Sequence, residues 1–308
     1  MHQVEAGTRV DSRSDPGMAT EDLVLAAAAR RRGLWALLRR KRVPMVCLGI
    51  VAVFGLAALL APILAPHDPN FGYYDGLTMT GAPLGSTGKF LLGTDPTGRD
   101  VLSRLLYGSR ISLTVGVLST ALTVLLGLSL GSIAGYFGGW AEIVITRLID
   151  IMLAFPVVLL GMAIAAILTS SIATTIGVIA LTQWMYMARV VYSQVQTLKE
   201  WEFVTAARAM GIGERRIVLR HIAPHMLPLL IAYSTLTVGT SILLEATLSY
   251  LNAGVPKPTA SWGSMISDGL TYYRADPSLV LYPGVAILVV VLAFTLLGDG
   301  LTAAIEGR

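Results

Sequence analysis

Long uncharged runs separated by short charged islands set the pattern of this chain. Residues 43–66 carry no charge for 24 positions, 111–141 carry none, and 151–188 none for 38, with further apolar stretches at 221–244 and 277–298. Twenty-four helical residues reach about 36 Å, enough to cross about 30 Å of hydrocarbon. Thirty-eight would reach about 57 Å, nearly two membrane thicknesses, so that run must fold back on itself. Thr169-Ser170-Ser171 is the best turn within it, which predicts helices near 143–169 and 172–198. The sum is six transmembrane helices in an all-α integral membrane protein, with both termini on one side. Gly127, Gly131 and Gly135 recur every fourth residue of the second span. Small residues on one stripe let helices approach closely in lipid, where tight packing replaces the hydrophobic effect. Residues 135–139 read as the turn that follows.

Charge sets the orientation. Nine of the 23 Lys and Arg residues precede Val43, and a basic segment flush against an apolar one is a topology signal. The arm is therefore placed in the cytoplasm, together with the loop around Arg147, the island at 199–224 and Arg308. The first twenty or so residues are polar and expected to be disordered. Residues 21–42 fit either an amphipathic helix on the inner leaflet or a solvated arm. The run at 43–66 is expected to be a retained first span, because a signal peptide has a shorter apolar core and a small-residue cleavage site.

Residues 67–110 are rich in Gly, Pro, Tyr and Asp at the start, which argues for irregular structure outside the membrane. Further on, Asp95 or Thr97 is placed to cap an interfacial helix with Val101, Leu102, Leu105 and Leu106 on one face and Arg99 and Arg104 off it. The expected organisation is a basic arm at 1–42, a first span at 43–66, an extracytoplasmic loop at 67–110, a five-helix core at 111–303 and a tail at 304–308. Composition agrees: 54% hydrophobic residues, 14% charged and a mean hydropathy of +0.68 exclude a soluble globular domain. The net charge of +4 is concentrated in the arm and gives no reason to expect nucleic acid. Cys47 is the one cysteine, so no intrachain disulfide can form.

The island at 199–224, KEWEFVTAARAMGIGERRIVLRHIAP, is the longest charged stretch between apolar runs in the core. Glu202, Phe203, Ala206, Ala207 and Met210 fall at helical spacing. Gly211 and Gly213 offer positive-φ positions that end a helix, and Pro224 heads the next span. Small alanines leave a helix backbone approachable, which suits a helix seated in a partner's cleft. An ordinary basic loop between spans has the same composition.

Glu202-x-x-x-Ala206-Ala207-x-x-x-Gly211, with Pro224 thirteen residues after the glycine, resembles the EAA loop of permease subunits of binding-protein-dependent ABC importers. Thr205 directly before the alanines, with the glutamate displaced to Glu202, is similar to the peptide-importer branch, and Ala223 stands where many members carry leucine. LLGTDPTGRDVLSRLLYGSRISL at 91–113 and LAFTLLGDGLTAAIEGR at 292–308 resemble segments of the C-type subunit of dipeptide and oligopeptide permeases. The resemblance covers 43–308. It implies the type I ABC importer permease fold in a bacterial inner membrane, with a second homologous permease subunit and two ABC ATPase subunits or domains that hold Mg-ATP. It also implies an extracytoplasmic substrate-binding protein and a di- or oligopeptide cargo, with nickel or another small solute as the alternative. Residues 199–224 would be the coupling loop, with Phe203, Ala206, Ala207 and Gly211 for fit against the ATPase and Glu202 and Arg208 for polar contacts.

The chain carries no Gly-x-x-x-x-Gly-Lys-Ser/Thr loop, so neither ATP hydrolysis nor a bound cofactor is expected in it. His221 and His225 stand at i,i+4, but Pro224 lies between them and no carboxylate or cysteine is near, so no metal site is expected. Ionisable residues within spans need a reason. Asp150 lies about 12 Å, and Arg189 about 13 Å, from the cytoplasmic ends of their spans, a matched depth that permits a pair. Such a pair fits a helix-to-helix tie or a gate, and Arg147, one turn before Asp150, competes for it. Glu245 lies about 32 Å along its helix from Pro224, near the outer mouth, where it would face the binding protein or the substrate, or cap the local loop. A gradient-driven secondary transporter is the reading from another class. It often carries an inverted repeat, and no convincing repeat of the first three spans is visible in the last three.

Overall fold

The computed structural model describes residues 42–305. Of the expected arm only Arg42 falls among them, and residues 306–308 of the expected tail lie outside the described residues. The principal helices are α1 (Arg42–Leu59), α2 (Val101–Phe137), α3 (Gly139–Leu153), α4 (Val157–Ile167), α5 (Ile172–Leu198), α6 (Glu202–Ala209), α7 (Ala223–Tyr250), α8 (Trp262–Gly269) and α9 (Ser278–Ile305). No strand forms among the described residues, only isolated bridges at Leu77–Pro83 and Thr94–Asp100.

The helices α1, α2, α9 and α7 with its lead-in from Glu214 are each long and apolar enough to cross a membrane. The 27 residues of α5 reach about 40 Å, although Gln183, Arg189 and Gln196 make it more polar. It starts at Ile172 because the Ser171 hydroxyl accepts the Thr174 N–H at 3.0 Å, as the turn at 169–171 requires. The expected continuous helix at 143–169 is instead broken, with α3 and α4 bent by 97°. Pro156 has no N–H to give and disfavours helical backbone at Phe155, so the helix stops and restarts. The first span likewise ends at Leu59, before a short turn at Ala61–Leu64 that contains Pro62, rather than running to 66.

At the centre, α2 packs along α5. An added Cβ at Gly127 would stand 2.6 Å from Met187 Cβ, at Gly131 2.6 Å from the Ala188 carbonyl oxygen, and at Gly135 3.0 Å from the Tyr192 carbonyl oxygen. Each step of four along α2 therefore meets the next turn of α5, and nothing larger than glycine fits. On another side of α2, Gly116 admits Ile242 of α7. Helix α9 packs on α7, and α1 covers α9, where Cys47 is buried with Ala293, Leu297 and Leu301.

Residues 67–100 form an ordered cap. Thr94 Oγ1 accepts the Leu84 N–H at 2.9 Å, and the Asp95 carboxylate accepts the N–H groups of Thr97 and Arg99 at 2.8 and 3.0 Å. The interfacial helix expected here is the first stretch of α2 itself. Its N-cap is Asp100, which accepts the Ser103 N–H at 2.9 Å, in place of Asp95 or Thr97. Arg99 and Arg104, expected on a polar face, are buried, Arg104 to 2% exposure. Asp95 holds them at 2.6 and 3.2 Å, and Asp268 of α8 holds the same two at 3.1 and 3.4 Å and Lys257 at 2.7 Å. Buried guanidinium groups persist only with such partners, and the knot fastens α8 onto the cap and α2.

Gly131→Ala drives a methyl into the α5 backbone and is expected to cost about 1–3 kcal/mol. By contrast, Gly177→Ala, where nothing lies within 4 Å of the new methyl, is expected to gain up to about 1 kcal/mol of helix propensity. Thermal unfolding of the purified protein in detergent reads the two signs. On the same assay, Asp268→Ala is expected to cost about 3–5 kcal/mol, because two buried cations lose a carboxylate.

Candidate coupling surface and intramembrane charges

The helix α6 sits between the C-terminal end of α5 and the lead-in to α7. Gly211, at φ +75°, ends it: the Gly211 N–H bonds to the Arg208 carbonyl at 3.0 Å and the Ile212 N–H to the Ala207 carbonyl at 3.1 Å. This crossed pair satisfies carbonyls that the helix end would leave bare, and the left-handed backbone it needs is accessible to glycine. Val204 and Ala207 point inward to a cluster with Val195 and Leu198 of α5 and Ile217, Ile222 and Met226 beyond. Glu202, Thr205, Ala206, Ala209 and Met210 are exposed on the other faces. Phe203 is half-buried, its ring stacked on His225 with centroids 4.8 Å apart.

This geometry changes the expectation for Ala207. At 2% exposure it belongs to the chain's own core, and the approachable alanine is Ala206. Val204 was not singled out by the sequence pattern, although its i,i+3 spacing from Ala207 marks the buried face. Arg208 is also engaged internally, its guanidinium lying 3.3 Å from both the Glu214 carboxylate and the Tyr136 hydroxyl, while that hydroxyl donates to Glu214. The hydrogen bond to Tyr136, with Glu214 adding its charge, holds the Arg208 pKa above its ordinary value. Lys199 Nζ reaches the Gly135 carbonyl oxygen at 3.4 Å. The end of α2 is thus tied to α6 through Tyr136 and to the C-terminal end of α5 through Lys199.

Asp150 and Arg189 meet at 2.7 Å across α3 and α5, with side chains 50% and 59% exposed. Arg147 is exposed and makes no ion pair among the described residues. Glu245, expected near the outer mouth, is fully buried. Its carboxylate accepts from Ser112 Oγ of α2 at 2.9 Å and Ser249 Oγ at 2.7 Å, and Ser112 Oγ in turn accepts the Trp262 N–H at 3.3 Å. The cause is α8, which folds back over this end of α7 so closely that Gly263 leaves no room for a side chain against Ala246. Glu245 therefore joins α2, α7 and α8 and presents nothing to the exterior. His225 Nδ1 lies 2.7 Å from the His221 carbonyl oxygen, and no group of three or more metal-ligating side chains occurs among the described residues.

Residues 127–308 match the family model described as binding-protein-dependent transport system inner membrane component. The chain belongs to that family. A second model, the N-terminal TM domain of oligopeptide transport permease C, matches residues 31–81 of this permease. The dipeptide transport system permease protein DppC of Alkalihalophilus pseudofirmus is 39% identical over 271 residues, 88% of each chain. The glutathione transport system permease protein GsiD of Pectobacterium atrosepticum is 34% identical over 278 residues, 90% of this chain and 91% of that one. A solved structure of the MetNI methionine ABC transporter, described as inward facing, matches in fold with a TM-score of 0.55 at 19% identity, over 66% of this chain and 97% of that one. The permease fold is that of the ABC importers.

Ala207→Leu is expected to overpack the seat of α6 and to cost about 1–3 kcal/mol. The readout is faster limited proteolysis within 199–224 of the purified permease. Wild-type protease resistance in this variant would contradict the buried placement.

Proposed function

We propose that this permease is one of two membrane subunits of an ATP-driven importer of short peptides. A second, homologous permease subunit completes the path. Two ABC ATPase subunits or domains bind Mg-ATP on the cytoplasmic side, and an extracytoplasmic binding protein delivers cargo. Both termini and the 199–224 loop are cytoplasmic, in keeping with the concentration of Lys and Arg there. The chain contributes no ATPase chemistry of its own. Two relatives carry the names of dipeptide and glutathione permeases, and both of those solutes are small, amide-bonded and zwitterionic, which favours cargo of that kind here.

The observation that carries the proposal is the mounting of α6. One face, with Glu202, Thr205 and Ala206, is exposed and shallow, while Val204 and Ala207 behind it are embedded against α5 and the lead-in to α7. A push on such a helix is transmitted rather than absorbed, because its base is a packed core and the Tyr136, Arg208 and Glu214 contacts. Closure of the ATPases on ATP would move α6 as a rigid body and with it α5 and α7, giving alternating access.

Ala206→Glu places a charged, longer side chain on the docking face without touching the core. ATP-dependent peptide uptake by vesicles carrying the whole complex is expected to be abolished, with membrane insertion and thermal stability unchanged. Uptake at the wild-type rate would refute the assignment of α6. Uptake that ignores ATP depletion and collapses with the proton gradient would instead support a secondary transporter.

A further inference from the structure

Most of the surface-facing side of the long helices is aliphatic, as in Leu281, Val285, Leu288 and Leu292 along α9. Helix α5 departs from this. Its exposed stripe is Tyr186, Arg189 and Ser193, at i, i+3 and i+7, and Arg189 lies nine residues, about 14 Å, before the helix end. A charged group at that depth is costly against hydrocarbon and almost always faces the bundle interior or a water-filled cavity. On one side of the stripe stands Asp150 of α3. On the other stand Thr237 and Thr240 of α7, with Thr240 Oγ1 held 3.0 Å from the amide oxygen of the buried Gln183.

The stripe is the floor of a trough with a cavity on each flank. One, of about 420 Å³, is bounded by Val157, Tyr186, Thr237 and Thr240, and the other, of about 170 Å³, by Thr146, Asp150, Arg189 and Tyr192. A seam between membrane helices is built differently: small residues let the backbones touch, as the glycines of α2 do on α5. Here large side chains and a half-exposed ion pair surround empty space. The pair is held by one hydrogen bond, Arg189 Nη2 to Asp150 Oδ1, and neither side chain makes another among the described residues. An ion pair so open to solvent has a small net attraction, so it can part when equivalent charges are offered in its place.

We propose that this trough is the substrate-facing wall of the translocation path, and that Asp150 and Arg189 exchange their mutual contact for the ammonium and carboxylate ends of a zwitterionic peptide. The proposal rests on the importer reading above. The aromatic and hydroxyl groups of Tyr186, Thr237 and Thr240 would meet the amide backbone between those ends without demanding a particular side chain.

The test uses the full complex in proteoliposomes, with Cys47, the single native cysteine, replaced by serine. Ser193→Cys and Thr240→Cys are each compared with Leu288→Cys on the aliphatic face, using a charged, membrane-impermeant methanethiosulfonate. Because thiolate forms only where water reaches it, the two trough cysteines are expected to react at least about tenfold faster. Reaction as slow as at Leu288→Cys would overturn the wall assignment. In a second arm, the isosteric double variant Asp150→Asn with Arg189→Gln removes both charges and leaves no unpaired ion. Dipeptide uptake is expected to fall about tenfold while ATP hydrolysis stimulated by the loaded binding protein persists. Uptake at the wild-type rate would overturn the exchange, and so would loss of the assembled complex, which would make the pair a structural tie. If the wild-type complex itself takes up no dipeptide with ATP, the peptide-importer reading fails, and the thiol rates still report on the wall.

Discussion

The contact on which the rest of this structure depends is the glycine stripe of α2 against α5. In lipid, no hydrophobic effect pulls two apolar helices together, so backbone proximity must supply the attraction through dispersion. Gly127, Gly131 and Gly135 bring α2 within a few ångströms of the carbonyls of Ala188 and Tyr192. That fixes the height and rotation of α5, and everything downstream of α5 inherits them. The polar stripe at Tyr186, Arg189 and Ser193 points away from α2 because the opposite side of the same helix is occupied by the stripe. The seat of α6 is set in the same way, since Val195 and Leu198 lie in the last turns of α5 and pack beneath α6.

The two ends of the molecule are secured by different chemistry. Beyond the membrane on the cap side, charge knots and hydroxyls hold α8 down: Asp95 and Asp268 against Arg99 and Arg104, and Glu245 against Ser112 and Ser249. At the α6 end the fastening is mainly a hydrophobic cluster, with Tyr136, Arg208 and Glu214 closing it at the edge. A cluster of aliphatic side chains tolerates small sliding motions better than a knot of directional ion pairs does. The α6 end is thus the more yielding of the two, and the cap end the more rigid.

Local signals in the sequence reported local structure well. The four-residue glycine repeat, the serine-capped turn at 169–171 and the glycine that ends α6 each act within a few residues, and the structure places all three as the pattern predicts. What escaped was non-local. The burial of Arg99 and Arg104 uses Asp95 close by, but also Asp268, 169 and 164 residues away, and that second carboxylate has no local signal. Glu245 lies under α8 for the same reason. The break between α3 and α4 was written in Phe155-Pro156, but hydropathy alone runs smoothly across it. For α6, the spacing of the residues predicted that a helix forms, while only its neighbours could decide that Ala206 faces out and Ala207 in.

Between α6 and α7, residues 218–222 adopt the wider π-type winding, just ahead of Pro224. A widened turn of this sort accommodates one residue more than an α-turn over the same height, and neighbouring positions on a helix differ by about 100° in azimuth. An insertion or deletion at this point would thus turn α6 relative to α7, and Val218 and Ile222, which belong to the buried cluster that seats α6, would have to repack with it.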